Sequence, residues 1–157
     1  MSNRHDPLFF AQISRFQRIY AKGLSNRLDT HDVTPGYLEI LFRLWDQDNI
    51  SQKQLHRLMD IEQATLSNTL TRMDRDGLIT KVRNPKDRRV TNIELTPHGQ
   101  SLKSVVETAI SDLQSVVNTG LTINDRRYFS RILKQMTEQV ENDLSDSILV
   151  LVDEVSE

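Results

Sequence analysis

Apolar residues recur every three or four positions along much of the chain, a spacing that places them on one face of an α-helix. The longest such stripes cover residues 9–28, 102–117 and 129–148, and a shorter one covers residues 38–45. Each stripe predicts an amphipathic helix that buries one face and leaves the other in water. The chain is therefore predicted to be mainly helical.

The starts of these helices are marked by residues that satisfy free backbone N–H groups. Three starts place a side-chain oxygen directly before a proline, whose missing N–H costs nothing in the first turn. They are Asp6-Pro7, Thr34-Pro35 and Thr96-Pro97. Two more have the spacing of a capping box, in which side chain and backbone bond reciprocally across three residues. They are Ser51 with Gln54 and Thr122 with Asp125.

Two short helices are predicted in the middle of the chain, over residues 51–59 and 62–76. The second stops at Gly77, a residue suited to a helix C-terminus. On a helical wheel its apolar residues share one side, and its opposite side is small and polar. That outer side holds Ala64, Ser67, Asn68, Thr71 and Arg75, flanked by Thr65 and Arg72. Small polar side chains let a helix come close to DNA and hydrogen-bond base edges or phosphates.

A charged β-hairpin is predicted directly after these helices. Residues 78–82 and 90–95 are short runs rich in β-formers, and Asn84-Pro85 lies in the connection. The chain as a whole has a formal net charge of −2. Residues 81–89 nevertheless hold five cations and one anion. Such a local positive charge is typical of a surface that meets a polyanion.

Length and composition restrict the remaining possibilities. A chain of 157 residues with 37% apolar and 27% charged residues is typical of one globular domain. The sequence has no cysteine, which excludes disulfides, thiolate metal sites, cysteine nucleophiles and thiol-based redox sensing. No apolar run approaches the roughly 20 residues of a membrane span, and no secretory signal pattern opens the chain. We therefore expect a cytoplasmic protein with no membrane partner.

Sequence motifs for catalysis and metal binding are missing. There is no glycine-rich phosphate loop or nucleophile elbow, and the four histidines lack the spacing of metal ligands. A calcium loop centred on Gly77 would put Arg72 and Arg83 where carboxylates are needed. We predict that the protein is not an enzyme and has no cofactor and no metal site.

A helix-turn-helix followed by a cation-tipped hairpin is the winged helix-turn-helix arrangement. In this arrangement the second helix enters the DNA major groove and the hairpin, or wing, follows the backbone. Two adjoining segments resemble the MarR (multiple antibiotic resistance regulator) family of transcription factors. They are Q63-A-T-L-S-N-T-L-T-R-M-D-R-D-G77 and L78-I-T-K-V-R-N-P-K-D-R-R-V-T-N-I-E-L-T-P-H-G99. The fold class expected is mainly α with a small β-hairpin wing.

The resemblance implies one MarR-type domain over residues 1–157. Within it, residues 33–97 would form the winged helix-turn-helix lobe, and residues 6–30 and 97–150 would supply dimerisation helices. It also implies a homodimer that binds a pseudo-palindromic operator in double-stranded DNA. Repression is the commoner mode in this family, and many members respond to small aromatic or phenolic anions. Members that sense oxidants use a cysteine, which this chain does not have.

Individual roles are carried over from the family pattern to matching positions. Arg89 would enter the minor groove, Arg88 and Lys86 would support phosphate contact with Arg83 nearby, and Asp87 would shape the wing. The predicted major-groove residues are Gln63, Thr65, Ser67, Asn68, Thr71 and Arg72. Aromatic side chains with a cation or an imidazole suit a phenolate or a carboxylate. The candidates for such an effector pocket are Arg15, Phe16, Tyr20, His31 and Tyr37, although core packing explains these aromatic residues at least as well.

Two alternatives remain open on the sequence alone. A winged helix can serve protein–protein contact without sequence-specific DNA binding, although that use does not require a cationic wing beside a small-residue helix. The long apolar stripes can be covered by packing within one chain or by a second copy of it. We favour DNA binding and a two-fold dimer.

Overall fold

The fold confirms the predicted order of elements. The computed structural model describes the backbone of residues 7–154 and the side chains of residues 8–145. Its helices are α1 (Pro7–Leu28), α2 (Pro35–Asp46), α3 (Gln52–Arg57), α4 (Gln63–Arg75), α5 (Pro97–Val117) and α6 (Ile123–Glu154), with a 3-10 helix at Asp29–His31. Its strands are β1 (Ile50–Ser51), β2 (Ile79–Arg83) and β3 (Thr91–Leu95). The chain divides into two compact units, residues 1–113 and 114–157.

Both predicted capping boxes are present. The backbone N–H of Gln54 donates to Ser51 Oγ at 3.1 Å, and the Gln54 side chain accepts from the Ser51 N–H at 3.0 Å. Asp125 and Thr122 bond in the same reciprocal way, at 3.1 and 2.8 Å. These bonds satisfy N–H groups that have no partner inside the helix.

The three predicted Thr-Pro and Asp-Pro starts differ in outcome. Thr96 Oγ1 accepts from the Gly99 N–H at 2.9 Å and caps α5 as expected. The predicted Thr34 cap is wrong, because its side chain makes no capping bond to α2 and only its carbonyl accepts, from the Tyr37 N–H at 3.0 Å. Asp6 lies outside the described residues.

The end of α4 is fixed by a left-handed glycine, as predicted. Gly77 has a φ of +72°, which a residue with a Cβ adopts only at a cost. The Leu78 N–H returns to the Met73 carbonyl at 2.9 Å and the Gly77 N–H to the Asp74 carbonyl at 3.0 Å. This pair of bonds is the Schellman motif, and it aims the chain directly into β2.

The sheet has three strands, so the prediction of a hairpin alone was incomplete. The strand order is β1-β3-β2, and both pairings are antiparallel. Ile93 in the central strand pairs with Ile50 of β1 on one side and with Lys81 of β2 on the other. β1 joins the start of the helix-turn-helix to the wing, so these two parts share one backbone framework.

The core of the lobe holds α4 against this sheet. Its fully buried side chains come from α2, α3, α4, β2 and β3 and from the turn before β2: Ile40, Leu41, Leu44, Leu55, Leu66, Leu70, Met73, Leu78, Ile79 and Ile93. Burying each large apolar side chain contributes about 1.5–3 kcal/mol. The position and rotation of α4 are therefore set by packing, which decides which of its faces reaches solvent.

Large apolar side chains remain exposed on α1 and on α6. On α1, Phe9, Phe10, Ile13, Phe16 and Ile19 are exposed, with Phe10 at 75%. On α6 the exposed set is Ile123, Tyr128, Phe129, Ile132, Leu133, Met136, Val140 and Leu144. Single exposed apolar residues are common, but rows of this kind mark an interaction surface. No helix within residues 7–154 has the length and apolar content that a membrane-spanning segment needs.

Candidate nucleic-acid interface

The outer face of α4 has short polar side chains in its N-terminal half, and Arg72 and Arg75 follow toward its C-terminal end. Its inner residues Leu66, Thr69, Leu70 and Met73 are buried. Among the predicted major-groove residues, Gln63, Thr65, Asn68, Thr71 and Arg72 are exposed and Ser67 is half-buried. All six therefore lie off the buried face, where hydroxyl, amide and guanidinium groups can meet a partner without a bulky apolar side chain between them.

The loop of the wing, residues 84–90, is folded by its own polar side chains. Asn84 Oδ1 accepts from the Lys86 N–H at 2.8 Å, and Asp87 Oδ1 accepts from the Arg89 N–H at 3.0 Å. The Val90 N–H donates to the Asp87 carbonyl at 2.9 Å and closes the turn. Asn and Asp side chains commonly fold tight turns in this way. Three cationic side chains are thereby held on a short, defined loop.

Asp87 is the one anion among these cations, and it accepts hydrogen bonds from both the backbone and the side chain of Arg89. The Arg89 Nε lies 3.2 Å from the carboxylate oxygen that also accepts the Arg89 backbone N–H. The backbone N–H, followed by the guanidinium, holds the pKa of Asp87 below its usual range. The Arg89 side chain nevertheless remains 91% exposed. An exposed ion pair is weak in water, so Arg89 can turn toward another anion at little cost.

The other predicted phosphate contacts are also accessible. The side chains of Arg83, Lys86 and Arg88 are exposed, as is that of Arg89. Together they give the wing a positive surface that continues from β2 into the loop. Arginine suits contact with a phosphate or a narrow minor groove because its flat guanidinium donates from several N–H groups.

The C-terminal end of α4 is tied to α2 by a contact that the sequence analysis missed. The buried Tyr37 donates its hydroxyl to Asp76 Oδ2 at 2.8 Å, and Arg75 Nε donates to Asp76 Oδ1 at 2.9 Å. Burial, and then the bond to Asp76, raises the pKa of Tyr37. Arg75, and then Tyr37, lowers the pKa of Asp76. The far end of the helix is thus fixed by a charge-assisted bond.

A second residue that the sequence analysis left out of the site is Lys81, in the middle of β2. Its Nζ donates to Thr71 Oγ1 at 3.0 Å. Lys81 therefore links the wing to the outer face of α4. Its charge was visible in the sequence, but its contact with α4 was not.

The five predicted effector residues occupy different places. His31 lines a cavity of about 450 Å³ with Arg27, Ser104, Val105, Thr108, Ala109 and Asp112. Tyr37 lines another of about 500 Å³, together with Arg72 and Asp76 among others. Phe16 and Tyr20 pack together on α1 with ring centroids 5.6 Å apart, and Arg15 is exposed on the same helix. His31 and Tyr37 thus belong to separate cavities.

A small-residue helix on a three-stranded sheet, beside an exposed cationic wing, defines a winged helix-turn-helix DNA-binding protein. The MarR family model matches residues 33–91, the winged helix-turn-helix lobe, and similar proteins are named transcriptional regulators. The resemblance noted in the sequence and the prediction of a DNA-binding regulator are both confirmed. The alternative of a winged helix used only for protein contact has no support from these comparisons.

Two similar proteins are named transcriptional regulators, one found by sequence and one by structure. The HTH-type transcriptional regulator TtmR of Methylorubrum extorquens (strain PA1) is 27% identical over 132 residues, which are 83% of this chain and 64% of TtmR. The chain thus spans slightly less than two thirds of that relative. A MarR family transcriptional regulator from Listeria monocytogenes, complexed with 26mer DNA, has a TM-score of 0.73 at 21% identity, covering 89% of this chain and 92% of that one.

A second similar structure contains a small molecule. The organohalide-sensing transcriptional regulator RdhR, in its 2,4-dichlorophenol-bound form, has a TM-score of 0.79 at 16% identity. The alignment covers 84% of this chain and 79% of RdhR. At this identity the likeness establishes a common fold.

Proposed function

We propose that the protein acts as a homodimer that represses transcription by binding an inverted-repeat operator. The observation that carries this proposal is the exposed polar face of α4 next to the cationic wing. One lobe per protomer, residues 33–97, would dock in each of two successive major grooves about 34–36 Å apart. The two-fold symmetry of such a dimer requires the operator to be an inverted repeat.

The dimer is proposed to form through residues 6–30 and 97–150. Support comes from the rows of exposed apolar side chains on α1 and α6, which include Phe9, Phe10, Phe129 and Leu133. Large apolar rows of this kind are stable in water when a second surface covers them. A second copy of the chain offers the same surfaces and can cover both copies at once.

In this complex the side chains on α4 would read base edges, and the wing would hold the backbone. Asn68 and Gln63 carry amides of the type that bonds adenine, and Thr65 and Ser67 carry hydroxyls. Thr71 and Arg72 would complete the major-groove face, with Arg83, Lys86 and Arg88 at phosphates and Arg89 in the minor groove. Asp87 would keep the loop in the shape that aims these cations.

The effector is proposed to be a small aromatic or phenolic anion. The cavity lined by His31 supports this, because Arg27 lies in it and its Nε is bonded to Asp112 at 2.6 Å. An anionic ligand could replace Asp112 as the partner of Arg27. RdhR binds a chlorinated phenol, and with no cysteine this chain cannot use thiol oxidation as its signal. A thermal-shift screen of aromatic acids and phenols tests the idea, and a flat response throughout would favour a constitutive regulator.

The decisive test of DNA binding is Arg89→Ala on an operator recovered by selection from random duplexes. Fluorescence anisotropy across a range of salt concentrations should give weaker binding and a shallower dependence of log K on log salt. The slope should fall by about 0.9 for each phosphate that Arg89 neutralises in each protomer. Lys103→Ala serves as the control, because it removes a charge from an exposed position on α5 that is not among the apolar side chains on which the proposed dimer contact rests. Equal slopes for Arg89→Ala and its parent would remove Arg89 from the interface.

A further inference from the structure

The contact between Lys81 and Thr71 has a chemical consequence for how α4 can read DNA. The Thr71 hydroxyl has one proton, and it donates that proton to the Ser67 carbonyl at 3.0 Å. The same oxygen accepts from Lys81 Nζ at 3.0 Å. A hydroxyl has one donor and two acceptor lone pairs. Thr71 therefore retains one acceptor site and a methyl group, and has no donor left for a base.

Lys81 is placed to do more than support Thr71. It alternates along β2 with Thr80 and Val82, so it lies on the same face of the strand as the buried Ile79. α4 contacts β2, and Lys81 is half-buried there while its ammonium reaches the exposed Thr71 of α4. The ammonium thus lies where the polar face of α4 meets the wing.

The hydrogen-bonding capacity of Lys81 is mostly unused within the protein. An ammonium has three donors and no acceptor. Within the described part of the chain, Thr71 Oγ1 is its one hydrogen-bond partner. Two donors and a full positive charge therefore remain at the edge of the proposed DNA-reading face, on the strand that continues into Arg83 and the cationic loop.

We infer that Lys81 is a further DNA-binding residue that contacts a backbone phosphate between the major-groove helix and the wing, and that it sets what Thr71 can read. The inference rests on the proposed function. With its proton committed and one lone pair occupied, Thr71 selects a base edge that donates, the amino group of adenine or cytosine, or a thymine methyl against its own methyl. A phosphate is the partner that suits a compact, strongly hydrated ammonium.

The test compares Lys81→Met, which keeps an apolar stem, with Lys81→Arg, which keeps the charge. Lys103→Met is the matched control, since it removes one lysine charge at an exposed position on α5, away from the apolar side chains of α1 and α6 on which the proposed dimer contact rests. Anisotropy on the operator selected by the parent gives affinity and salt slope. Lys81→Met should bind roughly tenfold more weakly or worse and lose about 0.9 from the slope per protomer. Lys81→Arg should keep the slope, and Lys103→Met should match the parent in both.

A second measurement addresses the role of Lys81 in positioning Thr71. Thr71→Val keeps the methyl and removes the hydroxyl, so it should change the preferred base at one position of each half-site. Lys81→Met should change the preference at that same position. Removal of the ammonium frees a second lone pair of Thr71 Oγ1, which can accept a hydrogen bond from a base in a different direction. In a double-mutant cycle the combined variant should lose less affinity than the two single losses predict, since contacting residues are not additive.

The inference is overturned if Lys81→Met keeps the parent's salt slope and selected consensus while its thermal midpoint is unchanged. It is also overturned if Lys81→Arg lowers the salt slope as Lys81→Met does, because the preserved positive charge should keep the contact with the phosphate. Either result leaves the proposed function in place as long as Arg89→Ala lowers the slope. Failure of the parent to select any duplex is different, since it removes the proposed function and this inference together.

Discussion

Gly99 lies where the first turn of α5 crosses the start of β2, and replacing it with alanine should destabilise the lobe. An added Cβ would overlap the Leu78 carbonyl oxygen and would lie 3.0 Å from the carbonyl carbon and 3.2 Å from Leu95 Cδ2. The Leu78 carbonyl is held in place because it accepts from the Thr96 N–H at 3.1 Å. The Gly99 carbonyl is held as well, by the indole N–H of Trp45 at 3.1 Å. Neither backbone can move aside without losing a bond.

The size of the effect follows from these contacts. Overpacking of a close-packed site costs about 1–3 kcal/mol, and a rigid backbone atom places this site at the upper end. Loss of one hydrogen bond adds about 0.5–1.5 kcal/mol. The total of about 3–4 kcal/mol is a large share of the 5–15 kcal/mol that typically separates folded from unfolded states. For a chain of this length each kcal/mol lowers the melting temperature by about 2–4 °C.

Thermal unfolding followed by circular dichroism should therefore show a midpoint about 6–16 °C below that of the parent. Both proteins must be measured at one concentration, because dimerisation makes the midpoint concentration-dependent. Gly36→Ala is the matched control, since its nearest neighbour would be Thr34 Oγ1 at 3.9 Å. It should be neutral or slightly stabilising, by about 0.4–1 kcal/mol. A Gly99→Ala midpoint within about 2 °C of the parent, the shift expected for less than 1 kcal/mol, would contradict the close approach between α5 and Leu78.

Two further outcomes test the bonds around α4 and the wing. Asp76 has a lowered pKa, so its stabilising contribution is present above its ordinary value of 3.8 and is lost as pH falls through the folded-state value. Tyr37→Phe removes the hydroxyl that donates to Asp76, so it should reduce the stabilising contribution of Asp76. The difference between the thermal midpoints at neutral and acidic pH should then be smaller than in the parent. An unchanged difference would contradict a stabilising role of the Tyr37–Asp76 bond. For the wing, Asp87→Ala should weaken operator binding in anisotropy titrations more than Asp87→Asn, which retains an acceptor for the Arg89 N–H. If only the loss of the Asp87 negative charge mattered, both variants would bind the operator more tightly than the parent, and that result would contradict the role of Asp87 in shaping the loop.

The elements that could be predicted from the sequence are those encoded by neighbouring residues. The capping boxes at Ser51 and Thr122 and the glycine end of α4 depend on residues within a few positions, and all three are present. β1 was missed because it has two residues, Ile50 and Ser51, too few for any periodicity to register. Thr34 was predicted as a cap on residue type alone, but residue type does not fix where its side chain points.

In the candidate site, too, features set by neighbouring residues could be predicted, and contacts between residues far apart in the sequence could not. The helical wheel identified the outward face of α4, because packing of Leu66, Leu70 and Met73 against the core fixes its rotation. The partners of the missed residues are far away or across an element boundary. Tyr37 and Asp76 are 39 positions apart, and Lys81 reaches Thr71 from a different element. No pattern in a single sequence reports which strand residue meets which helix residue.

The net charge of −2 does not count against DNA binding by this chain. Charges in water are screened beyond about 8 Å at physiological ionic strength, so a phosphate at the wing responds mainly to the cations beside it. The five cations and one anion of residues 81–89 supply that local field, and the single anion is already engaged by Arg89. The salt dependence of binding counts the phosphates that are neutralised. On the proposed binding mode it is therefore set by side chains such as Lys81 and Arg89, and the acidic residues of 122–157 enter it only where they lie within that screening distance.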